Sequence, residues 1–319
     1  MSHVPRLTLI ATAALLLVTA SAQAQSELKI LAPASVGGGW DGTAQAIAET
    51  LRTEKLAPSV SVYNIPGKAG TLGLAEFVKL KGQPNNLMVT GFVMVAGIPI
   101  NKSPYDLNSD VTPIARLTTS YEVLLVSAKS PYKTVDELIG AFRSNPSSIR
   151  FGGSSEGGSG HVAVGKLAKE LKIPMSQVKF IPSAGGAQAA KAMIGGELDV
   201  VSAGYSEIED LIRSGQVRGL AILAPEPVAG VNLPTLIAKG YNVDVSNWRG
   251  VVATGRISAV QRSELTVMMT RMVRTDTWKK KLAENKWDAY FASGTTFDRF
   301  VRVQRTDVAQ LLQDLNILK

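Results

Sequence analysis

The chain has 319 residues, with 34 Lys and Arg against 26 Asp and Glu, and a formal net charge of +8. It has no cysteine, which excludes disulfides, thiolate nucleophiles and cysteine metal sites. Its only dense basic run, Lys279–Lys281, has no aromatic residues between the lysines, so we expect no nucleic-acid binding. The net positive charge either favours the approach of anions or belongs to an ordinary solvated surface with no functional role.

The first residues have the features of a secretory signal peptide. Arg6 is the only charged side chain before Glu27, Leu7–Ala20 is apolar, and Ala22–Ala24 is a small-residue cleavage site. A cut two residues earlier also fits. The apolar run is shorter than the roughly 20 residues of a membrane-spanning helix, so a membrane anchor is the less favoured alternative. We predict that residues 1–24 are removed and that the mature chain is exported.

Strands alternate with helices in the first part of the mature chain. The predicted strands are Leu28–Leu31, Val60–Tyr63 and Leu87–Thr90, and the helices between them are Asp41–Arg52 and Leu72–Lys79. This order is typical of a parallel sheet built from βαβ units.

The same alternation continues through a second region, where Thr134 and Glu137 form a predicted capping box for a helix that reaches Phe142. The predicted strands are Glu122–Ala128, Ile149–Phe151, Val178–Ile181, Leu198–Ser202 and Gly219–Leu223. The other predicted helices are His161–Leu171, Ala187–Ile194 and Ser206–Arg213.

After Trp248 we expect the chain to return to its first lobe. The predicted elements there are a strand at Gly250–Ala253, a helix that is capped by Ser258 and reaches Val273, a helix at Trp278–Glu284 and a terminal helix with an apolar stripe from Phe297 to Leu315. The length of the mature chain also favours two domains. We therefore predict an α/β fold of two lobes with a ligand cleft between them. The predicted division is lobe 1 at 25–127 and 248–319, and lobe 2 at 128–247.

A glycine-rich loop joins the first strand to the first helix. Small residues let backbone N–H groups approach a ligand, and a helix start adds partial positive charge, so the loop predicts an anion site. It has neither the Gly-Lys-Ser/Thr of a P-loop nor the G-x-G-x-x-G of a dinucleotide site, and a plain tight turn is the alternative. The candidate ligand-binding residues are Ser35, Val36, Gly37, Gly38, Gly39, Trp40 and Thr43.

A second loop of this kind lies in the middle of the chain. Its candidate ligand-binding residues are Ser154, Ser155, Gly158, Ser159 and His161. His161 could donate to an anion or lie on a helix surface. Tyr205 follows a strand and could place a phenol at the cleft. Arg249 could grip a carboxylate with two hydrogen bonds or form a structural ion pair.

Enzymatic readings lack the necessary side chains. His161 is the only histidine of the mature chain, which leaves no usual transition-metal site. A serine hydrolase would have to pair Ser155 with His161, and no Gly-x-Ser-x-Gly turn supports it. We predict no catalytic residue, no metal and no cofactor.

Four segments, in chain order, resemble the signatures of the substrate-binding proteins of tripartite tricarboxylate transporters, also called the Bug or TctC family. The segments are Gly37–Ala44, Asn64–Gly73, Gly152–His161 and Asn247–Gly250. The likeness spans essentially the whole mature chain. Ser159-Gly160 stands where relatives often have Thr-Asp, a departure that concerns the side chains at these two positions.

The resemblance implies a type II periplasmic binding-protein fold and a small carboxylate held by amides and hydroxyls of the loops at 35–43 and 152–161. The implied function is capture of a di- or tricarboxylate by lobe closure and delivery to the membrane permease subunits of such a transporter. We favour a citrate-like ligand because of Arg249 and the positive charge. We expect a periplasmic monomer; a sensor subunit for a signalling receptor is an open alternative.

Overall fold

The structure, a computed structural model, describes residues 27–318; the predicted signal peptide lies outside the described residues. The strands are β1 (Leu28–Ala32), β2 (Val60–Asn64), β3 (Asn86–Gly91), β4 (Val111–Thr119), β5 (Glu122–Ser127), β6 (Arg150–Gly153), β7 (Lys179–Pro182), β8 (Val200–Gly204), β9 (Val217–Ile222), β10 (Arg249–Thr254) and β11 (Asp288–Ser293). The helices are α1 (Gly39–Thr53), α2 (Thr71–Val78), α3 (Phe92–Ile100), α4 (Val135–Ser144), α5 (Ser159–Glu170), α6 (Gly186–Ile194), α7 (Tyr205–Arg213), α8 (Ala259–Met272), α9 (Asp276–Asn285) and α10 (Gly294–Asp314). Within the described range, no helix is both long and apolar enough to span a membrane.

The strands form two sheets, one in each lobe. The first sheet has six strands in the order β11-β4-β10-β3-β1-β2. Its β1, β2 and β3 run parallel, and β10 runs antiparallel to both β3 and β4. The second sheet has five strands in the order β7-β6-β8-β5-β9, with β6, β7 and β8 parallel and β5 antiparallel to its neighbours. The predicted α/β fold class is confirmed.

The lobe boundary differs from the predicted one. Strand β5 was expected at the end of lobe 1, but it pairs with β8 and β9 in the second sheet, with Glu122 opposite Gly204. The chain therefore crosses between the lobes directly after β4, several residues before the predicted boundary at 127/128. The predicted pattern could not show this, because an isolated apolar strand does not reveal which sheet completes its hydrogen bonds.

Two chain crossings join the lobes and lie side by side. The first follows β4, and the second precedes β10. Ser120 N–H donates to Asn247 O at 3.3 Å, and Asn247 N–H donates to Ser120 O at 2.9 Å. The lobes are thus joined by a short paired segment.

Local sequence signals explain several helix boundaries. Both predicted caps are present: Thr134 and Glu137 form a capping box at α4, and Ser258 and Gln261 form one at α8. Strand β4, strand β11 and helix α3 were not predicted. Strand β4 contains Pro113, which argues against a strand, and α3 is apolar around its whole circumference, so it shows no helical stripe.

The terminal helix α10 packs against both lobes. Its buried Phe297 and Val301 face the core of the first lobe. Near its end, Leu315 is fully buried and lies against Gly165 of α5, where a Cβ would meet Leu315 Cδ1 at 2.9 Å. Lys169 and Asp314 pair at 3.1 Å across the same contact. The predicted apolar stripe of α10 therefore packs against both lobes and not only against the first.

Candidate functional site

A cleft with a volume of about 440 Å³ lies between the lobes. Its walls are loops that follow strand ends of both sheets, which is where open α/β sheets bind ligands. The residues that line it are Pro33, Ala34, Ser35, Gly38, Gly39, Trp40, Pro66, Gly67, Lys68, Ala69, Gly70, Val93, Glu122, Ser154, Ser155, Ser159, Ser183, Ala184, Gly185, Gly186, Gln188, Ala203, Gly204, Glu207, Asn247 and Arg249. The two glycine-rich loops thus share one cavity.

Five helices begin at this cleft: α1, α2, α5, α6 and α7. The first N–H groups of a helix have no partner within it, and the helix dipole adds partial positive charge there. Glycine is the residue before the first helical position in all five. The absence of a side chain at these positions keeps the backbone accessible from the cleft. The arrangement suits an anionic group.

Asp41 shapes the loop before α1. Its Oδ2 accepts the Gly37 N–H at 2.8 Å, and its Oδ1 accepts Asn64 Nδ2 at 3.0 Å. The Asp41 side chain is buried, and Gly37 adopts a left-handed φ of 78°. This carboxylate therefore fixes the loop and does not point its charge at a ligand.

His161 has a similar role before α5. Its Nδ1 accepts the Gly157 N–H at 3.1 Å, and its ring stacks on Phe180 with a centroid distance of 4.1 Å. Burial lowers the pKa of His161 to about 4, so the ring is neutral near pH 7. Within the described part of the chain, no hydrogen bond joins Ser155 to His161, which gives the hydrolase alternative no geometric support.

Arg249 is a buried link between the lobes. Its Nη1 donates to Gly39 O at 2.9 Å and to Thr43 Oγ1 at 3.2 Å, both in the first lobe. Its Nη2 lies 3.9 Å from Glu207 Oε1 of the second lobe. Burial lowers the pKa of Arg249, while Glu207 and Glu122 act in the opposite direction. The guanidinium is therefore partly committed to protein groups, as in the structural role considered from the sequence, and the grip on a ligand carboxylate stays a prediction.

Two acidic side chains accompany this arginine in the cleft. Glu122 is 2% exposed, and its Oε2 accepts the Ser202 hydroxyl at 3.2 Å. Burial raises the pKa of Glu122 to about 7; the Ser159 and Ser202 hydroxyls and Arg249 oppose this shift. The other acid, Glu207, accepts the first N–H of α6, from Gly186, at 3.1 Å. The start of α6 is thus already paired with a protein carboxylate, and α1 and α7 have Asp41 and Glu207 in their own first turns.

Eight of the predicted ligand-binding residues line the cleft: Ser35, Gly38, Gly39, Trp40, Ser154, Ser155, Ser159 and Arg249. Six do not: Val36, Gly37, Thr43, Gly158, His161 and Tyr205. Val36 points to solvent at 80% exposure, and Tyr205 packs in the second-lobe core. Thr43 holds Arg249, and Gly158 is the residue before α5.

Sequence reasoning missed the acids of the cleft. Glu122 opens an apolar strand and Glu207 lies in an amphipathic helix, so both read as ordinary surface charges until the fold brings them together. Lys68 and Asn247 belong to segments that the sequence marked as candidate turns, although neither was chosen as a site residue. Among residues 27–318, no group of three or more His, Cys, Asp or Glu side chains could hold a metal ion.

The fold, with a cleft between two α/β lobes, is similar to that of solved periplasmic binding proteins. The structure of Rpa4515 of R. palustris with adipate matches with a TM-score of 0.83 at 19% identity, covering 91% of this chain and 97% of that one. MatC from Rhodopseudomonas palustris with bound malate matches with a TM-score of 0.73 at 20% identity, covering 92% and 99%. At these identities the likeness establishes the fold.

The family follows from the sequence comparisons. The model of the tripartite tricarboxylate transporter family receptor, TctC, matches residues 43–317. Protein BugT of Bordetella pertussis is 24% identical over 285 residues, which cover 88% of this chain and 83% of that protein. The chain belongs to the TctC family of periplasmic solute-binding proteins, and the resemblance seen in the sequence is confirmed. Proteins of this family and fold are receptors for solutes and not enzymes.

Proposed function

We propose that this protein captures a small carboxylate in the cleft between its lobes and delivers it to the permease subunits of a tripartite tricarboxylate transporter. The single observation on which the proposal depends is the convergence of five helix starts on one cavity lined by several serine hydroxyls. Backbone N–H groups and hydroxyls are donors suited to a carboxylate. The carboxylates bound by the adipate and malate neighbours support this class of ligand.

Capture would operate by lobe closure. A ligand that touches both lobes only when they are shut stabilises the shut form, because its affinity differs between the two forms. The paired crossings at Ser120 and Asn247 supply a compact pivot at the base of the cleft. A permease that binds the shut form would then distinguish loaded from empty receptor.

The charges of the side chains that line the cleft affect which carboxylate it can bind, including the expected citrate-like ligand. Lys68 and Arg249 are accompanied by Glu122 and Glu207, so with both acids ionised the side chains that line the cavity have no formal surplus of positive charge. A trianion would meet two carboxylates at close range. The lining therefore favours a ligand of lower net charge, and the preference for citrate stays a prediction that a ligand panel tests.

The test is isothermal titration calorimetry with mono-, di- and tricarboxylates and with neutral solutes of matched size. We expect a dicarboxylate to bind, and Ser155→Ala to weaken it by about 10- to 100-fold, the effect of losing one hydrogen bond to a charged group. Ser144→Ala is the control, because Ser144 lies on exposed α4 away from the cleft. Binding of neutral solutes alone would overturn the proposal. Native mass spectrometry of freshly purified protein would identify a retained acid directly.

A further inference from the structure

A second cavity lies on the other side of α3 from the cleft. Its volume is about 540 Å³, against about 440 Å³ for the cleft, and both volumes are in the range of small-molecule sites. Val93 of α3 lines the cleft, whereas Val95 and Ile98 line the second cavity. Two positions along a helix are about 200° apart, so Val93 and Val95 face opposite sides of α3. The two cavities share no lining residue.

The floor of the second cavity is apolar and comes from three segments of the first lobe: α3, the loop that follows it and α10. Its apolar lining residues include Val95, Ile98, Pro99, Leu107, Val301 and Ala309. Val95, Leu107 and Val301 are at most 5% exposed, so the cavity reaches down to the core of the lobe. Apolar surface of a ligand that is buried there leaves water, which favours binding in proportion to its area.

The loop that closes the second cavity is held in place by hydrogen bonds of its own. Asp106 Oδ1 accepts the Asn108 N–H at 2.8 Å, and Asp110 Oδ2 accepts the Asp106 N–H at 2.9 Å. Asp106 Oδ2 also lies 3.1 Å from Arg305 Nε, which ties the loop to α10. The protein therefore forms this cavity without help from a ligand, as in most small-molecule sites.

The charged side chains at the second cavity are Lys102, Arg305 and Asp106. Asp106 is committed to Asn108 and to Arg305 Nε. Within residues 27–318, Lys102 forms no ion pair and neither Nη group of Arg305 donates a hydrogen bond to the protein. Two cations and one acid leave one positive charge, which favours a ligand with one negative charge.

We propose that the second cavity is a binding site for an amphipathic anion, a free molecule with an apolar body and one anionic end. The body lies on the floor between α3 and α10, and the anionic end lies at Lys102 and Arg305. The volume is that of a small ligand and not of a lipid with two long chains. The inference does not depend on the proposed function, because no residue of this cavity lines the cleft.

The experiment compares three ligands with the same alkyl chain and different charges: decanoate, decanol and protonated decylamine, each below its micelle concentration. Titration calorimetry at pH 7 should rank decanoate first and decylamine last. We expect decanoate to bind at least about threefold more tightly than decanol, because partly exposed ion pairs contribute modestly.

Charge variants test the anionic end. Lys102→Gln and Arg305→Gln should each weaken decanoate about two- to fivefold and leave decanol unchanged. Lys102→Gln breaks no ion pair of the protein, so it is the cleaner of the two. Arg302→Gln is the matched control, because Arg302 is exposed on the same helix and does not line the cavity.

Filling variants test the position of the ligand. Ala309→Trp places an indole in the cavity from α10 and should weaken decanoate and decanol alike by about tenfold or more, through loss of buried apolar area. Thr306→Trp, at an exposed position of the same wall, is the second filling variant and should have the same effect. Ser155→Ala, in the cleft, should not change the affinity for decanoate.

Each outcome decides one part of the inference. Equal affinities for decanoate, decanol and decylamine would refute the anionic end. Decanoate binding that Ser155→Ala weakens and both tryptophan variants leave unchanged would place the ligand in the cleft and refute the second site. Cosedimentation with phosphatidylglycerol vesicles that both tryptophan variants abolish would overturn the assignment of a free ligand. No binding of decanoate would refute the inference and leave carboxylate capture in the cleft intact.

Discussion

Replacing Gly39 with alanine should disturb the contact between the lobes. A Cβ at Gly39 would lie 2.5 Å from Arg249 Nη2 and 2.9 Å from Glu207 Oε1, whereas ordinary contact begins at 3.4 Å. The backbone does not resist the change, because Gly39 is the first residue of α1 and its φ lies outside the left-handed region. The guanidinium would therefore have to move by roughly 0.9 Å.

The magnitude follows from the hydrogen bonds of that guanidinium. Arg249 Nη1 donates to Gly39 O at 2.9 Å and to Thr43 Oγ1 at 3.2 Å. Each hydrogen bond to a charged group contributes about 1.5–3 kcal/mol, and the alanine returns up to about 1 kcal/mol through helix propensity. We expect the free energy of unfolding to fall by about 1–3 kcal/mol. Ligand affinity should fall about tenfold or more, because closure brings the same groups together.

Gly42→Ala is the matched control within the same helix. Nothing lies within 4 Å of a Cβ at Gly42, so this variant should gain about 0.5–1 kcal/mol from helix propensity alone. Urea unfolding followed by circular dichroism measures both variants, and titration calorimetry measures their affinity. If Gly39→Ala is as stable as Gly42→Ala and binds ligand as tightly as the unmodified protein, α1 does not rest against the Arg249–Glu207 pair.

Three further predictions concern titration and fluorescence. Burial raises the pKa of Glu122 from 4.5 to about 7, so the folded protein binds more protons than the unfolded chain between these values. The contribution of Glu122 to stability is full below pH 4.5 and is lost as pH rises through 7. Relative to Glu122→Gln, the free energy of unfolding of the unmodified protein, measured by urea titration, should fall by up to about 3 kcal/mol over that window. Parallel pH profiles of the two proteins would contradict this. Burial lowers the pKa of His161 from 6.5 to about 4, so its contribution to stability is full above pH 6.5 and is lost as pH falls through 4. His161→Gln should remove this loss of stability at acid pH. An unchanged slope of the free energy of unfolding against pH would exclude His161 as its source. Trp40 lines the cleft at 7% exposure, so ligand should change tryptophan emission and Trp40→Phe should abolish most of that change; an undiminished change would assign it to another tryptophan.

Most of the fold could be predicted because its signals are local. Period-two strands, amphipathic helices and the capping boxes at Thr134 and Ser258 each depend on a few consecutive residues. Strand β4 could not be predicted from its local pattern, because Pro113 interrupts it. Its pairing is completed by β10 and β11, which lie far along the chain. The assignment of β5 to the wrong lobe has the same origin, since pairing partners are tertiary information.

The residues of the candidate site also fall into those with a local sequence pattern and those without one. Glycine-rich turns before helices can be recognised from the sequence alone. The cleft contains residues from both of the glycine-rich loops that the sequence indicated. Glu122 and Glu207 could not be recognised, because a single acid has no local pattern and its role depends on Arg249, far away in sequence. His161 looked like a ligand because it follows a serine- and glycine-rich loop, but its imidazole accepts a loop N–H instead.

The end of α10 restricts how the two halves of the molecule can rotate. Phe297 and Val301 fasten this helix to one half, while Leu315 is fully buried against Gly165 of the other. A movement that pulled Leu315 away would expose its side chain to water at a cost of about 1.5–3 kcal/mol. If the lobes close as proposed, rotation about a line near the Ser120–Asn247 pairing and the last turn of the helix would keep Leu315 buried. Sliding or twisting of the halves would expose it at that cost.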